Sequence, residues 1–120
     1  MATDPVYIIG AGGHAKVVIA ALLANAIACA GVFDDDRLLW GKKILEIPIL
    51  GAVEELRDTS SVMAVNAIGN NSTRRAICER FRNVSWMTVI HPHTWIHCSV
   101  KIGCGTVVFA GSIIQPDTII

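Results

Sequence analysis

The sequence predicts an α/β fold in which a small parallel sheet is followed by the beginning of a parallel β-helix, and three observations predict it. The apolar run Val6 to Ile9 passes through Gly10-Ala11-Gly12-Gly13-His14-Ala15-Lys16 into a helix-like run, Val17 to Leu23. A second run, Gly31, Val32 and Phe33, ends in Asp34-Asp35-Asp36, at the distance where the second strand of a βαβ unit meets a ribose. Near the C-terminus, Ile90, Ile96, Ile102, Val108, Ile114 and Ile120 recur every sixth residue, and Thr88, Thr94, Val100, Thr106, Ser112 and Thr118 stand two places ahead of each. That period is neither helical nor simply extended. It is the signature of a parallel β-helix whose flat sides each send one aliphatic residue inward.

Taken in order, residues 5–10 read as a first strand, apolar almost throughout, as a strand buried on both faces of a parallel sheet should be. The glycine turn has the spacing G-x-G-x-x-A with Gly13 in addition, close to the dinucleotide fingerprint. A helix that starts in such a turn aims its free N–H groups and positive dipole end at an anion, and a phosphate fits there. The helix is expected from about His14 to Asn25, with Val17, Val18, Ala21 and Leu22 on one face. A second strand follows from about Cys29 to Phe33. Residues 36–48 read as irregular, with an exposed turn at Gly41, Lys42 and Lys43 and with Trp40 packing rather than serving as a ligand platform.

Ile47 to Gly51 is a short extended piece, and Val53 to Leu56 a short helix. Ser61 to Ile68 is the most convincing central strand; it runs into Gly69-Asn70-Asn71-Ser72, where Asn71 or Ser72 caps a helix. That helix is expected to turn Ala76, Ile77 and Phe81 inward and Arg74, Arg75, Glu79, Arg80 and Arg82 outward. Ligands of open α/β sheets sit outside the carboxyl ends of strands, so the loops Gly10 to His14 and Gly69 to Ser72 should border one crevice. The asparagines can serve a turn or read a base or sugar, and Arg74 or Arg75 can face an anion or only solvent. A further strand is expected over Trp86 to Ile90, so that residues 1–87 form the sheet domain and 88–120 the start of the hexad ladder. Ile114, Ile119 and Ile120 should be exposed at an unfinished end that invites association, and the chain reads as the front part of a longer protein.

A chain of 120 residues suits one domain, or one small domain and part of another. Ten basic residues balance ten acidic ones, with no charge run, so nucleic acid is not an expected partner. Met1-Ala2-Thr3-Asp4-Pro5 lacks the order of a signal peptide and no apolar run could span a bilayer, so a soluble, cytoplasmic chain is expected, with no membrane partner. Cys29, Cys78, Cys98 and Cys104 fit no zinc spacing and read as four reduced thiols. His91, His93 and His97 read as turn and surface histidines, their spacing weak evidence for a metal.

In Ile8 to Lys16, Asp34-Asp35, Ala67-Ile68-Gly69-Asn70-Asn71 with Arg74, Val89-Ile90-His91-Pro92 and the hexads, the sequence resembles the sugar O-acyltransferases of the sialic acid O-acetyltransferase family, which includes the bacillosamine-type UDP-amino-sugar N-acetyltransferases. The resemblance covers nearly the whole chain. It implies a Rossmann-like nucleotide-sugar domain followed by the beginning of a left-handed β-helix, which in that family trimerises and binds acetyl-CoA between subunits. It also implies a role in surface-glycan biosynthesis. By resemblance, Gly10, Gly12, Gly13 and His14 would hold the phosphates of a UDP-sugar, Asp34 and Asp35 would meet the uracil or ribose, and Gly69, Asn70, Asn71 and Arg74 would complete the site. The family's catalytic histidine lies on a later coil and matches none of His91, His93 and His97, so this chain carries no catalytic residue of its own in that scheme. Two other classes stay open: a binding or oligomerisation module without chemistry, and, less favoured, an NAD-binding half of an oxidoreductase.

Overall fold

A computed structural model describes residues 6–58 and 62–120. Six strands form one sheet: β1 (Val6–Ile9), β2 (Cys29–Phe33), β3 (Lys43–Ile44), β4 (Ile47–Gly51), β5 (Met63–Asn66) and β6 (Ser85–Trp86), in the order β3-β4-β2-β1-β5-β6. All neighbours are parallel except β3 and β4. β5 is an interior strand as expected, between β1 and β6; Ser61, the expected start of that run, and Pro5, the expected start of the first strand, lie outside the described residues.

Two helices follow strand ends, α1 (Gly13–Ala24) after β1 and α2 (Asn71–Arg80) after β5. α1 buries Ala15, Val18, Ile19, Ala21 and Leu22 against Val6, Ile8, Val32, Ile49 and Val65. Val17 does not join them and is 45% exposed, because the inward stripe runs through 15, 18, 19 and 22 and Val17 falls outside that arc. On the opposite side of the sheet, Ile77 and Phe81 pack with Ile9, Phe33, Leu56 and Val84. The inward stripe of α2 is Arg74, Ile77, Cys78 and Phe81, so Ala76 is exposed and Arg74 half-buried, the reverse of the sequence expectation for each. The cap is Asn70, whose side chain accepts from the Thr73 N–H at 3.0 Å, and not Asn71 or Ser72.

Residues 36–48 are more ordered than their composition suggests. A 3₁₀ turn, Arg37–Leu39, leads into the antiparallel hairpin of β3 and β4, whose two-residue turn is Leu45 and Glu46 at φ 46° and 68°. Paired positive φ values close a hairpin tightly, and Asn-Gly is the sequence that advertises them. Leu-Glu does not. The short helix expected over Val53 to Leu56 is present as a 3₁₀ helix, Val53–Asp58.

The Met87 N–H makes the last bond to β5, at Ala64 O, and the chain then leaves the sheet, so the expected strand from Trp86 to Ile90 is two short pieces, the second being β7 (Val89–Ile90). β8 (Trp95–Ile96), β9 (Val107–Val108) and β10 (Ile113–Ile114) follow. Val89 pairs with Val107, Trp95 with Ile113 and Lys101 with Ile119, each with the residue three hexads later and each in parallel. Ile96, Ile102 and Ile114 are half-buried and Val108 is buried, whereas Ile120 is 48% exposed. Ile113, Ile119 and Ile120 are the exposed aliphatics of this end, Ile119 and Ile120 as expected, with Ile114 turned inward against the sequence expectation. Val89, Val107 and Phe109 pack on the α1 side of the sheet core, and the Asn25 amide at the end of α1 donates to Ile90 O at 2.9 Å.

All four cysteines are free, Cys98 and Cys104 exposed. Burial pushes the Cys29 thiol up from its ordinary value, with a hydrogen bond to the Gly31 carbonyl working the other way. At neutral pH a thiol-specific reagent is therefore expected to modify Cys98 and Cys104 well before Cys29, as peptide mass mapping over time would report. In denaturant unfolding, Leu22→Ala, at a fully buried site, should cost about 2–5 kcal/mol, while Leu23→Ala next to it, 56% exposed, should stay within about 0.5 kcal/mol. Replacing Leu45-Glu46 by Asn-Gly should raise stability by about 1 kcal/mol in the same assay.

Candidate nucleotide-binding site

β1 lies between β2 and β5 with Ile9 level with both Phe33 and Asn66, so three strands end together and their loops leave from one edge. The chain goes from β1 to one side to make β2 and later returns to the other side to make β5. A crevice opens where neighbouring connections diverge in this way. Backbone bonds seal its floor: Gly10 N–H donates to Phe33 O and Ala67 N–H to Ile9 O, both at 2.8 Å.

The glycines divide by purpose. Gly10 turns the chain at φ +99°, and a Cβ there would stand 3.1 Å from Ile68 Cγ1 and 3.4 Å from the Ala67 backbone. It is needed for the turn and for close approach to the β5 loop. Gly12 and Gly13 have negative or extended backbone and open space where a Cβ would be. Gly12 is the N-cap of α1 and provides no side-chain cap, and the N–H groups of Gly12, Gly13 and His14 find no acceptor among the described residues. An uncapped helix start with a bare approach is a place for an anion.

The aspartates are spent largely on backbone. Asp34 accepts the Ala11 N–H with Oδ2 and the Asp36 N–H with Oδ1, both at 2.8 Å, so it braces the glycine turn across the gap between β1 and β2. Its carbonyl accepts the Trp40 indole N–H at 2.7 Å, which ties down a ring that stays exposed and outside both core clusters, not packed as expected. Asp35 is exposed and accepts the Val53 N–H at 3.0 Å, and Asp36 accepts the Leu38 N–H. Each carboxylate keeps lone pairs for a further donor.

The third loop is shaped by a residue that sequence reading passed over. Asn66, 4% exposed, donates to Arg74 O at 2.9 Å and accepts the Ile68 N–H at 3.2 Å, which ties the end of β5 to α2. An asparagine closing an otherwise apolar strand was the available signal. Gly69 is exposed with open space around it, and Asn70 caps α2. Asn71 faces an open depression of about 420 Å³ on the outer side of α2, with Ser72, Arg75, Ala76 and Glu79. The Arg74 guanidinium turns to the hexad segment, where Nη2 approaches Gly105 O at 3.5 Å. The structure thus joins Gly10, Gly12, Gly13, His14, Asp34 and the Ile68-Gly69 end at one edge, while Asn70, Asn71 and Arg74 are engaged with α2 or beyond it.

The histidines of the hexads do turn work: His91 Nδ1 accepts the His93 N–H, and His97 Nδ1 accepts the Ser99 N–H and bonds Ser99 Oγ. Among the described residues no three His, Cys, Asp or Glu side chains are grouped to hold a metal ion, and no helix is long and apolar enough to cross a membrane. The glycine assignment predicts a split. Gly10→Ala should destabilise the fold by about 1–3 kcal/mol, whereas Gly12→Ala should leave the melting temperature nearly unchanged and weaken anion binding at α1, read by thermal unfolding and titration with a nucleoside diphosphate.

Comparison with known proteins points the same way. Residues 5–81 match the model of the PglD N-terminal domain. The chain is 37% identical over 110 residues to UDP-N-acetylbacillosamine N-acetyltransferase of Bacillus subtilis (strain 168), covering 88% of this chain and 51% of that protein. Among solved structures, PerB from Caulobacter crescentus, in complex with CoA and GDP-perosamine, superposes with a TM-score of 0.88 at 35% identity, over 99% of this chain and 57% of that one. The acetyltransferase domain of PglB from Neisseria gonorrhoeae FA1090, in complex with acetyl coenzyme A, superposes with a TM-score of 0.85 at 29% identity, over 98% and 58%. The chain therefore spans about half the length of these three relatives. With its glycine turn, braced aspartate and asparagine loop all inside the matched region, the chain belongs to the PglD N-terminal domain family.

Proposed function

We propose that this chain is the nucleotide-sugar-binding part of an acetyl-CoA-dependent acetyltransferase acting on a nucleotide-linked amino sugar or a sialic acid. The observation that carries the proposal is the uncapped start of α1, with free N–H groups at Gly12, Gly13 and His14, at the joint edge of β2, β1 and β5. The diphosphate would lie on that helix start, where charge-assisted hydrogen bonds and the helix dipole act together. Asp35 and the unused lone pairs of Asp34 would accept ribose or base donors. Gly69 leaves room for the ligand, and the Asn70 and Asn71 amides would close that side.

In this proposal residues 88–120 begin a left-handed β-helix, supported by parallel pairing of residues three hexads apart on each of three successive pieces. Acetyl-CoA supplies the acyl group as a thioester. The sugar amine or hydroxyl attacks its carbonyl, a base takes the proton from the nucleophile, and the CoA thiolate leaves. His91 and His97 serve turns and none of the three hexad histidines matches the family's base, so residues 1–120 are expected to bind and not to turn over. The exposed Trp95, Ile113 and Ile119 on the outside of the hexad segment support self-association, as the trimer expected of a full-length member of the acetyltransferase family. They also favour the second reading, a module that only binds or oligomerises.

Calorimetric titration of the chain with UDP-N-acetylhexosamine, a GDP-hexose and NAD separates these readings. Both bases are tested because the relatives bear UDP- and GDP-sugar names. Binding of a nucleotide sugar but not NAD, lost on Gly13→Val and weakened about tenfold or more on Asp35→Ala, is the expected result. Tight NAD binding would overturn the proposal, and binding of none of the three would leave the oligomerisation module.

A further inference from the structure

The two parts of the chain meet at the glycine turn itself. His14, the second residue of α1, sets its ring edge-on against Phe109, with centroids 5.2 Å apart and planes at 85°. This is the T-shaped arrangement that aromatic quadrupoles favour. Phe109 follows β9 directly, and its backbone is held on both sides: His91 N–H donates to Val108 O at 2.9 Å, and Ser112 N–H donates to Phe109 O at 3.2 Å. Next to that turn Gly111 N–H reaches back to His93 O at 2.7 Å. The Phe109 side chain also packs against the core cluster that contains Ala15 and Val18, one turn along α1 from the glycines. The ring is a fixed abutment.

His14 is half-buried, yet neither of its ring nitrogens has a hydrogen-bond partner among the described residues. An aromatic neighbour thus orients the imidazole while leaving its polar atoms unused, beside the free N–H groups of Gly12 and Gly13. Resting on the nucleotide-sugar assignment above, we infer that Phe109 is a positioning residue for the nucleotide-sugar site. Its ring holds His14 in the rotamer that directs a ring N–H to the ligand diphosphate, so the hexad segment builds one wall of the crevice. Two consequences follow for the molecule: affinity depends on residues outside the sheet, and displacement of the hexad segment is felt at the phosphates.

A double-mutant cycle tests this, with affinity for UDP-N-acetylhexosamine or the better-bound GDP-hexose measured for wild type, Phe109→Ala, His14→Ala and the double variant of the 120-residue chain. An edge contact of this kind corresponds to about a two- to tenfold change. Phe109→Ala is expected to weaken binding by that factor in the wild-type background and to have no effect once His14 is alanine. Phe109→Tyr should retain affinity, and Phe109→Leu, which keeps the packed volume without the aromatic face, should not. Equal effects of Phe109→Ala in both backgrounds, or full affinity in Phe109→Leu, would overturn the inference and leave Phe109 as core packing alone. A wild-type chain that binds neither nucleotide sugar overturns the assignment beneath it, an outcome distinct from additive variants of a chain that binds.

Discussion

The pairing of β1 with β2 on one edge and with β5 on the other is the constraint from which the site follows. Four residues, Val6 to Ile9, have three buried members and are bonded to a neighbour on both sides. A strand so enclosed cannot slip by one residue, because a slip would exchange Ile8, which packs with α1, and Ile9, which packs on the other face. The level of Gly10 is thereby set against Asp34 and Ala67. Only at that level can the Ala11 N–H reach the Asp34 carboxylate and the turn nest against Ile68. A site built on such an edge inherits the rigidity of the core below it.

Asp34 shows how one side chain can serve architecture at a place where a ligand contact was expected. A carboxylate has about four acceptor positions, and here two are occupied by backbone N–H groups of residues 11 and 36. Satisfying the backbone donor of Ala11 leaves those of Gly12, Gly13 and His14 as the ones without an acceptor among the described residues. Bracing the turn and selecting which N–H groups remain available are the same act. Asn66 does the equivalent for the third loop, where a buried amide must find partners and does so in Arg74, Ile68 and Cys78.

The hexad segment is joined to the sheet by few but directional contacts. Asn25 reaches Ile90, Arg74 reaches Gly105, and Trp86 lies under Gly105, where a Cβ would stand 3.4 Å from its own. Together with His14 on Phe109, these contacts connect both helices that follow the site loops to the same stretch of parallel pairs. α1 is therefore held between the sheet and the hexads, while α2, on the other face, reaches them through Arg74. The indole N–H of Trp86 is buried at this junction and has no hydrogen-bond partner among the described residues.

The sequence by itself determined the layout: a strand, a glycine turn and a helix at the N-terminus, the acidic end of β2, the loop after β5, and a six-residue period from residue 88 onward. These are local signals, written in the spacing of glycines and of apolar residues, and they survive folding because backbone geometry and burial both act at that range. Tertiary structure decided what each side chain does. Arg74 reads as a solvated or anion-facing cation, but its place on the buried stripe of α2 sends it to Gly105 O. Val17 and Ala76 read as inward, but the arc that meets the sheet leaves them out. The Leu45-Glu46 turn has no turn residues, and pairing of the flanking strands holds it at positive φ. The contact of His14 with Phe109 spans most of the chain, and no pattern in the sequence joins two residues so far apart. Only the packing of the hexads on α1 brings those rings together, because contact between distant residues is set by the core that both must enter.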